Sequence, residues 1–168
     1  MRTKLLSLFA ASLLLAACET APQTTAAAGG GGAASTPAAT APAQTRTGPI
    51  PGSQQDLVVN VGDRVFFDLD KSDLKPEARR TLERQAAWLK QYGNVAVTLE
   101  GHADERGTRE YNLALGERRA NSARDYLVSL GIASSRVRTV SYGKERPAVL
   151  GSNEAAYSQN RRAVAVVN

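Results

Sequence analysis

The chain has 168 residues, of which 22% are charged and 42% hydrophobic, and its formal net charge is +5. It contains one cysteine, Cys18, and one histidine, His102, which excludes an intrachain disulfide and a histidine-rich metal site. The net positive charge is small and the arginines are interleaved with acidic residues, so this charge does not indicate a nucleic-acid partner. We expect one domain of modest size.

The first 17 residues have the layout of a secretory signal. Arg2 and Lys4 form a basic start, and an apolar run follows from Leu5 to Ala17. The run is too short to span a bilayer as a mature helix. Its end, Leu15-Ala16-Ala17-Cys18, resembles the lipobox at which bacterial lipoproteins are lipidated and cleaved. We expect Cys18 to carry the lipid; the alternative is an ordinary signal peptide with an incidental thiol.

Residues 18–55 are predicted to be a lipidated N-terminus followed by a disordered tether. Ala, Thr, Gly, Pro, Ser and Gln dominate residues 19–55, and the only charges there are Glu19 and Arg46. Such a segment cannot bury enough apolar surface to offset its ordering entropy. Lipoproteins that resemble this chain and stay in the inner membrane carry aspartate after the cysteine. Glu19 at that position therefore implies an outer-membrane lipoprotein whose domain faces the periplasm.

Residues 56–168 mix charged and apolar positions and predict a folded domain. Strands are predicted at 64–67, 94–101, 137–142 and 162–167, helices at 76–92 and 110–130, and a helical turn at 154–157 within a long loop. The inward-facing helix positions are Ala78, Leu82, Ala86 and Leu89, then Gly116, Ala120, Ala123, Leu127 and Leu130. The order β-α-β-α-β-loop-β predicts a two-layer α/β sandwich with two helices on one face of a mixed four-stranded sheet.

Several motifs carry a family resemblance. The segment Gly101-His102-Ala103-Asp104-Glu105-Arg106-Gly107, followed by Tyr111-Asn112, Leu115 and Glu117-Arg118-Arg119-Ala120, resembles the central motif of the OmpA-like peptidoglycan-binding domain family. Residues 141–151 and 160–163, together with the lipobox, narrow the resemblance to the peptidoglycan-associated lipoproteins of the Tol-Pal system. The resemblance implies non-covalent binding to peptidoglycan, the partners TolB and TolA, and a role in envelope integrity and cell division. Arg109 stands where the family pattern has proline.

Five residues are candidates for the binding site. Asn112, Leu115 and Arg119 share one helical face by their spacing, and Asp104 lies in the loop that enters this helix. The resemblance implies that Asp104 binds the ammonium of a diaminopimelate side chain in the peptidoglycan stem peptide and that Arg119 binds its carboxylate, for which a planar guanidinium is suited. It also implies that Asp70 lines the same pocket. The alternatives are a loop cap for Asp104, a solvated charge for Arg119, a backbone cap for Asn112 and a turn residue for Asp70.

The sequence argues against catalysis. A metal site from His102, Asp104 and Glu105 lacks a second histidine, and a serine triad lacks a nucleophile-elbow motif. A half-exposed loop position explains His102 equally well. We therefore expect a binding protein without cofactor or metal; the alternatives are an OmpA-like wall-binding lipoprotein without Tol partners and a wall-modifying hydrolase. A structural role is expected for three residues near the last strand: Asn160, Arg161 and Arg162.

Overall fold

Four strands and four α-helices succeed one another in residues 48–168, the part of the chain that the computed structural model describes. The strands are β1 (Arg64–Phe66), β2 (Val97–His102), β3 (Val137–Gly143) and β4 (Arg162–Val167). The α-helices are α1 (Gln54–Asp56), α2 (Pro76–Gln91), α3 (Arg109–Ser129) and α4 (Glu154–Asn160). A π-helical turn (Leu57–Val61) continues α1, and a 3₁₀ turn (Ser134–Arg136) precedes β3. The predicted strands and main helices are all present with slightly shifted ends, and the predicted turn at 154–157 is the start of α4.

The four strands form one mixed sheet in the order β1-β4-β2-β3. β2 and β3 are parallel, with Val97 opposite Val137, whereas β4 is antiparallel to both β1 and β2. A parallel pair needs a crossover connection, and α3 supplies it. β2 is one of the two inner strands, and the chain passes from its end into the loop before α3.

One hydrophobic core lies between the sheet and the two long helices. The inward positions predicted for α2 are all buried, as are those of α3 except Leu130, which is partly buried against the same core. Val97 and Leu99 of β2 face this core, and Thr98 and Glu100 alternate with them on the other side. The predicted two-layer α/β arrangement is confirmed.

Two glycines allow α3 to approach the end of β2 very closely. A Cβ on Gly101 would overlap the carbonyl oxygen of Gly116, and a Cβ on Gly116 would overlap the hydroxyl of Ser141. Any larger residue would therefore push the helix off the sheet. This close approach places the first half of α3 over the loop that leaves β2.

Residues before the predicted boundary at Asp56 contact the folded domain. Ser53 caps α1 by accepting a hydrogen bond from the Asp56 amide (3.2 Å). The side chain of Gln54 accepts a hydrogen bond from the Val167 amide (2.7 Å) and donates one to the Ala165 carbonyl (3.2 Å). The boundary was placed too late because this docking rests on polar contacts with the backbone, which leave no hydrophobic pattern in the sequence.

No helix within residues 48–168 is both long and apolar enough to cross a membrane. The predicted signal peptide, the lipidation site Cys18 and the tether as far as residue 47 lie outside the described residues. They stay predictions from the sequence.

Candidate functional site

A cavity of about 310 Å³ lies where the loops after β1 and β2 meet the first half of α3. The structure brings all five predicted site residues to its wall: Asp70, Asp104, Asn112, Leu115 and Arg119. The sequence prediction did not include four further lining residues: Leu69, Arg106, Gly107 and Tyr111. The volume is at the lower end of the range for small-ligand sites, so the cavity suits a single ligand residue.

Arg119 is completely buried, which rules out a solvated helix charge. Its guanidinium donates to three carbonyl oxygens, those of Lys71 (2.8 Å), His102 (2.8 Å) and Asp68 (3.0 Å). Burial lowers the pKa of Arg119 to about 10, against the opposing effect of the Asp104 carboxylate, so the group is charged at neutral pH. A guanidinium has five N–H donors, and the three carbonyls take the one on Nε and one each on Nη1 and Nη2. A buried cation whose hydrogen bonds go to neutral carbonyls is incompletely compensated.

The carboxylate of Asp104 is buried and carries two arginine partners. Its Oδ2 lies 2.5 Å from Nη2 of Arg106 and 3.4 Å from Nη1 of Arg161. Its Oδ1 accepts hydrogen bonds from the backbone amide of Arg106 (3.2 Å) and from its Nε (3.3 Å). Burial alone would raise the pKa of Asp104, but these hydrogen bonds outweigh it and hold the pKa below its ordinary value. The cavity therefore has an anion in its wall as well as the cation of Arg119.

Asp70 combines a turn role with a place in the cavity wall. Its φ of 58° is in the left-handed region, which few non-glycine residues adopt and which aspartate tolerates better than most. The hydroxyl of Tyr111 donates a hydrogen bond to its carboxylate. This contact joins the loop after β1 to the first turn of α3.

Asn112 fixes the loop that carries Asp104 rather than capping the helix. Its Nδ2 donates to the carbonyl of Arg106 (2.7 Å), whereas Thr108 caps α3 by accepting a hydrogen bond from the Tyr111 amide (3.2 Å). One turn further along α3, Leu115 is buried and forms an apolar part of the wall.

The loop after β2 is also held by a residue that follows β3 and by one in α4. Lys144 donates to the carbonyls of Gly107 (2.7 Å) and Glu105 (3.2 Å). The Tyr157 hydroxyl donates to the Glu105 carboxylate (2.9 Å). Because these contacts fix the loop, the position of Asp104 is set before any ligand arrives.

Of the three residues near β4, two have the expected structural contacts. The side-chain oxygen of Asn160 accepts a hydrogen bond from the Ala148 amide (2.7 Å), and Arg162 donates to the carbonyl of Arg146 (3.1 Å). Arg161 also contacts a residue of the candidate site. Its Nη1 donates to Oδ2 of Asp104 (3.4 Å) and its Nη2 donates to Oε1 of Glu154 (2.6 Å) at the start of α4. No sequence signal identified the contact with Asp104, since the partners are 57 residues apart.

The interpretation of His102 as a half-exposed loop residue is wrong. This residue ends β2, is 1% exposed, and lies beside the ring of Tyr142 at 5.7 Å between centroids. Neither ring nitrogen has a hydrogen-bond partner among the described residues. Burial, aided by the charges of Arg162 and Arg146, lowers its pKa to about 4. The ring is thus neutral at pH 7, and only the backbone carbonyl of His102 reaches Arg119.

Within residues 48–168 no cluster of three or more histidine, cysteine, aspartate or glutamate side chains is arranged to hold a metal ion. The cavity wall itself carries two acidic side chains, Asp70 and Asp104, and two basic ones, Arg106 and Arg119.

Comparisons with known proteins agree with the sequence motifs. The OmpA family model matches residues 66–161. The chain is 61% identical over 117 residues to a peptidoglycan-associated lipoprotein of Rhizobium meliloti, a match covering 70% of this chain and 66% of that protein. It is 50% identical to the protein of the same name from Pseudomonas aeruginosa, over 69% of both chains. The crystal structure of the peptidoglycan-associated lipoprotein from Burkholderia pseudomallei is similar with a TM-score of 0.62 and 40% identity, covering 63% of this chain and 90% of that one.

Proposed function

This chain belongs to the OmpA family, and we propose that it is an outer-membrane lipoprotein whose folded domain binds peptidoglycan non-covalently. One observation carries the proposal: the buried guanidinium of Arg119, hydrogen-bonded to carbonyl oxygens, lines the same small cavity as the ionised carboxylate of Asp104. Such a pair of opposite charges is complementary to a ligand group that carries both an ammonium and a carboxylate.

The ligand that fits is the diaminopimelate residue of the peptidoglycan stem peptide. Its side chain ends in an amino group and a carboxyl group on one carbon, so both charges reach the cavity together. Arg119 binds the carboxylate with its two remaining N–H donors, and Asp104 binds the ammonium. Asp70, Asn112 and Leu115 shape the wall around the ligand. The relatives' name, peptidoglycan-associated lipoprotein, supports the choice of polymer.

The lipid anchor and the tether complete the proposed role. Cys18, lipidated and then made the N-terminus by cleavage of residues 1–17, holds the protein in the outer membrane, because several acyl chains give a stable anchor. The segment that follows lets the domain reach the cell wall from the membrane. The protein thus ties the outer membrane to the wall, with the domain facing the periplasm.

The proposed partners are TolB and TolA, and the proposed setting is envelope integrity during cell division. The motifs of residues 141–151 and 160–163 support this choice over an OmpA-like wall-binding lipoprotein without Tol partners. Reversible crosslinking in cells, followed by a pull-down of the native lipoprotein, distinguishes the two. Recovery of TolB supports the first, and recovery of wall fragments without any Tol protein supports the second.

A binding role and a wall-modifying hydrolase are separated by incubation with purified sacculi. We expect the protein to sediment with the sacculi and to release no soluble fragments. Asp104→Asn should abolish most of the sedimentation, whereas Asp125→Asn, which removes an exposed carboxylate from α3, should leave it unchanged. Release of muropeptides, or equal loss with both variants, would contradict the proposal.

A further inference from the structure

We propose that Arg106 determines the specificity of the cavity, because its guanidinium occupies at Asp104 the place that a ligand ammonium must take. This inference rests on the function proposed above and deepens it. It concerns the exchange that accompanies binding, in which the ligand ammonium replaces the Arg106 guanidinium at the Asp104 carboxylate.

The Arg106 guanidinium contacts both carboxylate oxygens of Asp104. Its Nη2 lies 2.5 Å from Oδ2 and its Nε lies 3.3 Å from Oδ1. Both residues line the cavity. An ammonium that enters therefore meets a carboxylate already engaged by a guanidinium, and it has to displace that guanidinium to make a contact of its own.

Of the two arginines at Asp104, Arg106 is the one able to leave. Its side chain is 39% exposed, whereas that of Arg161 is 8% exposed. Arg161 is held in addition by the carbonyl of Phe67 (3.2 Å) and by Glu154 (2.6 Å). Arg161 therefore stays as a fixed partner of Asp104, and Arg106 is exchanged.

Besides Asp104, the Arg106 guanidinium has two further neighbours, and neither lines the cavity. The guanidinium carbon of Arg106 already lies 4.3 Å from the centroid of the Tyr157 ring, and Nη2 lies 3.9 Å from the carboxylate of Glu154. A cation over an aromatic face and near a carboxylate keeps favourable electrostatics. The Arg106 backbone need not move, because its amide is bonded to Asp104 and its carbonyl to Asn112.

Because of this exchange, we expect only a ligand with a positive charge to bind well. A neutral group cannot compensate Asp104, so it leaves Arg106 in place and meets a guanidinium at the cavity wall. For a cationic ligand, the apparent affinity is lowered by the fraction of molecules in which Arg106 still holds Asp104. Removal of the Arg106 charge should therefore tighten binding, which is the opposite of what a ligand-contacting arginine would show.

The test is calorimetric titration of the purified protein with a muropeptide that contains diaminopimelate. Because a partly exposed ion pair is worth little, we expect Arg106→Gln to bind about two- to fivefold more tightly than the wild type. The matched control is Arg109→Gln, which removes an arginine paired with Glu145 rather than Asp104 and should leave the affinity unchanged. With a muropeptide whose amino group is acetylated, Arg106→Gln should show no such gain.

Equal or weaker binding by Arg106→Gln, with an unchanged melting temperature, would overturn the proposal and make Arg106 a positioning or ligand-contacting residue. If this variant does not fold, the Nε–H signal of Arg106 in the wild type decides: it must shift on titration with the free muropeptide and not with the acetylated one. A wild type that does not bind the free muropeptide overturns the proposed function as well. A wild type that binds it without the gain in Arg106→Gln overturns this inference alone.

Discussion

Replacing Arg119 should weaken both folding and binding, and the two losses can be separated. If Arg119 were a solvated helix charge, the alternative that the sequence leaves open, its loss would hardly affect folding. The structure contradicts this, since the guanidinium is buried and joins α3 to the loop after β1 and to the end of β2.

The size of the folding loss follows from the three acceptors. Asp68 and Lys71 are exposed residues, so water can reach their carbonyls when Arg119 is replaced by leucine. The His102 residue is buried, and its carbonyl then loses the partner that Nη1 provides. An unsatisfied buried acceptor costs about 1 to 3 kcal/mol. Removal of an incompletely compensated charge offsets part of this, so we expect Arg119→Leu to lower the free energy of unfolding by roughly 1 to 2 kcal/mol.

The assay is urea denaturation followed by circular dichroism, with muropeptide titration well below the melting temperature. Arg119→Leu should lose at least about a hundredfold in affinity, since two charge-assisted hydrogen bonds disappear. Arg119→Lys keeps the charge without the planar fork and should recover only part of it. The control is Arg118→Leu, an exposed neighbour that should change the free energy of unfolding by less than about 0.5 kcal/mol and leave binding intact. Wild-type stability of Arg119→Leu would refute the role assigned to the carbonyl contacts, and wild-type affinity would refute the site.

Three further predictions concern stability. The φ of Asp70 is 58°, and both Asp70→Ala and Asp70→Gly lose the contact with Tyr111. Asp70→Ala should be less stable than Asp70→Gly by about 1 kcal/mol in urea denaturation, because only alanine is strained in the left-handed region. Equal stabilities would refute this. A chain that begins at Asp56 loses the Ser53 cap and the Gln54 contacts with β4 and should melt below a chain that begins at Gly48; equal melting temperatures would contradict this. Because burial lowers the pKa of His102 from 6.5 to about 4, the unfolded chain takes up the proton first as the pH falls. The free energy of unfolding should then decrease between about pH 6.5 and 4, by roughly 3 kcal/mol at full extent. His102→Phe, which gives up no hydrogen bond of the ring, should remove this component of the pH dependence; an unchanged profile would refute it.

The fold could be predicted because the apolar residues that become buried recur with the spacing of a helix or of a strand. In α2 the apolar positions recur every three or four residues, and in β2 Val97 and Leu99 alternate with polar residues. The mixed sheet followed from the order of the elements, since α3 has to connect two parallel strands. The docking of Gln54 on β4 escaped this reasoning, because one amide side chain pairing with backbone groups has no period.

The site could be predicted as a set of residues but not as a set of contacts. The motif around Asp104 and the helical spacing of Asn112, Leu115 and Arg119 placed these residues together. The burial of Arg119 could not be foreseen, because its acceptors include carbonyls 48 and 51 residues away in sequence. The partner of Asp104 was within the motif itself, yet only the folded loop shows that Arg106 turns back onto it.

These contacts make the two ends of the cavity unequal. At the Arg119 end the hydrogen bonds of the cation go to carbonyls and Asp104 compensates it only through space, so we expect a ligand carboxylate to add a direct anionic partner. At the Asp104 end the anion is already paired, and a ligand ammonium replaces an existing cation instead of filling an empty place. We therefore expect the carboxylate contact to add an interaction, whereas the ammonium contact exchanges one interaction for another of the same kind and contributes selectivity. Loss of the Asp104 carboxylate still weakens binding, because Arg106 is then unpaired beside the ligand ammonium.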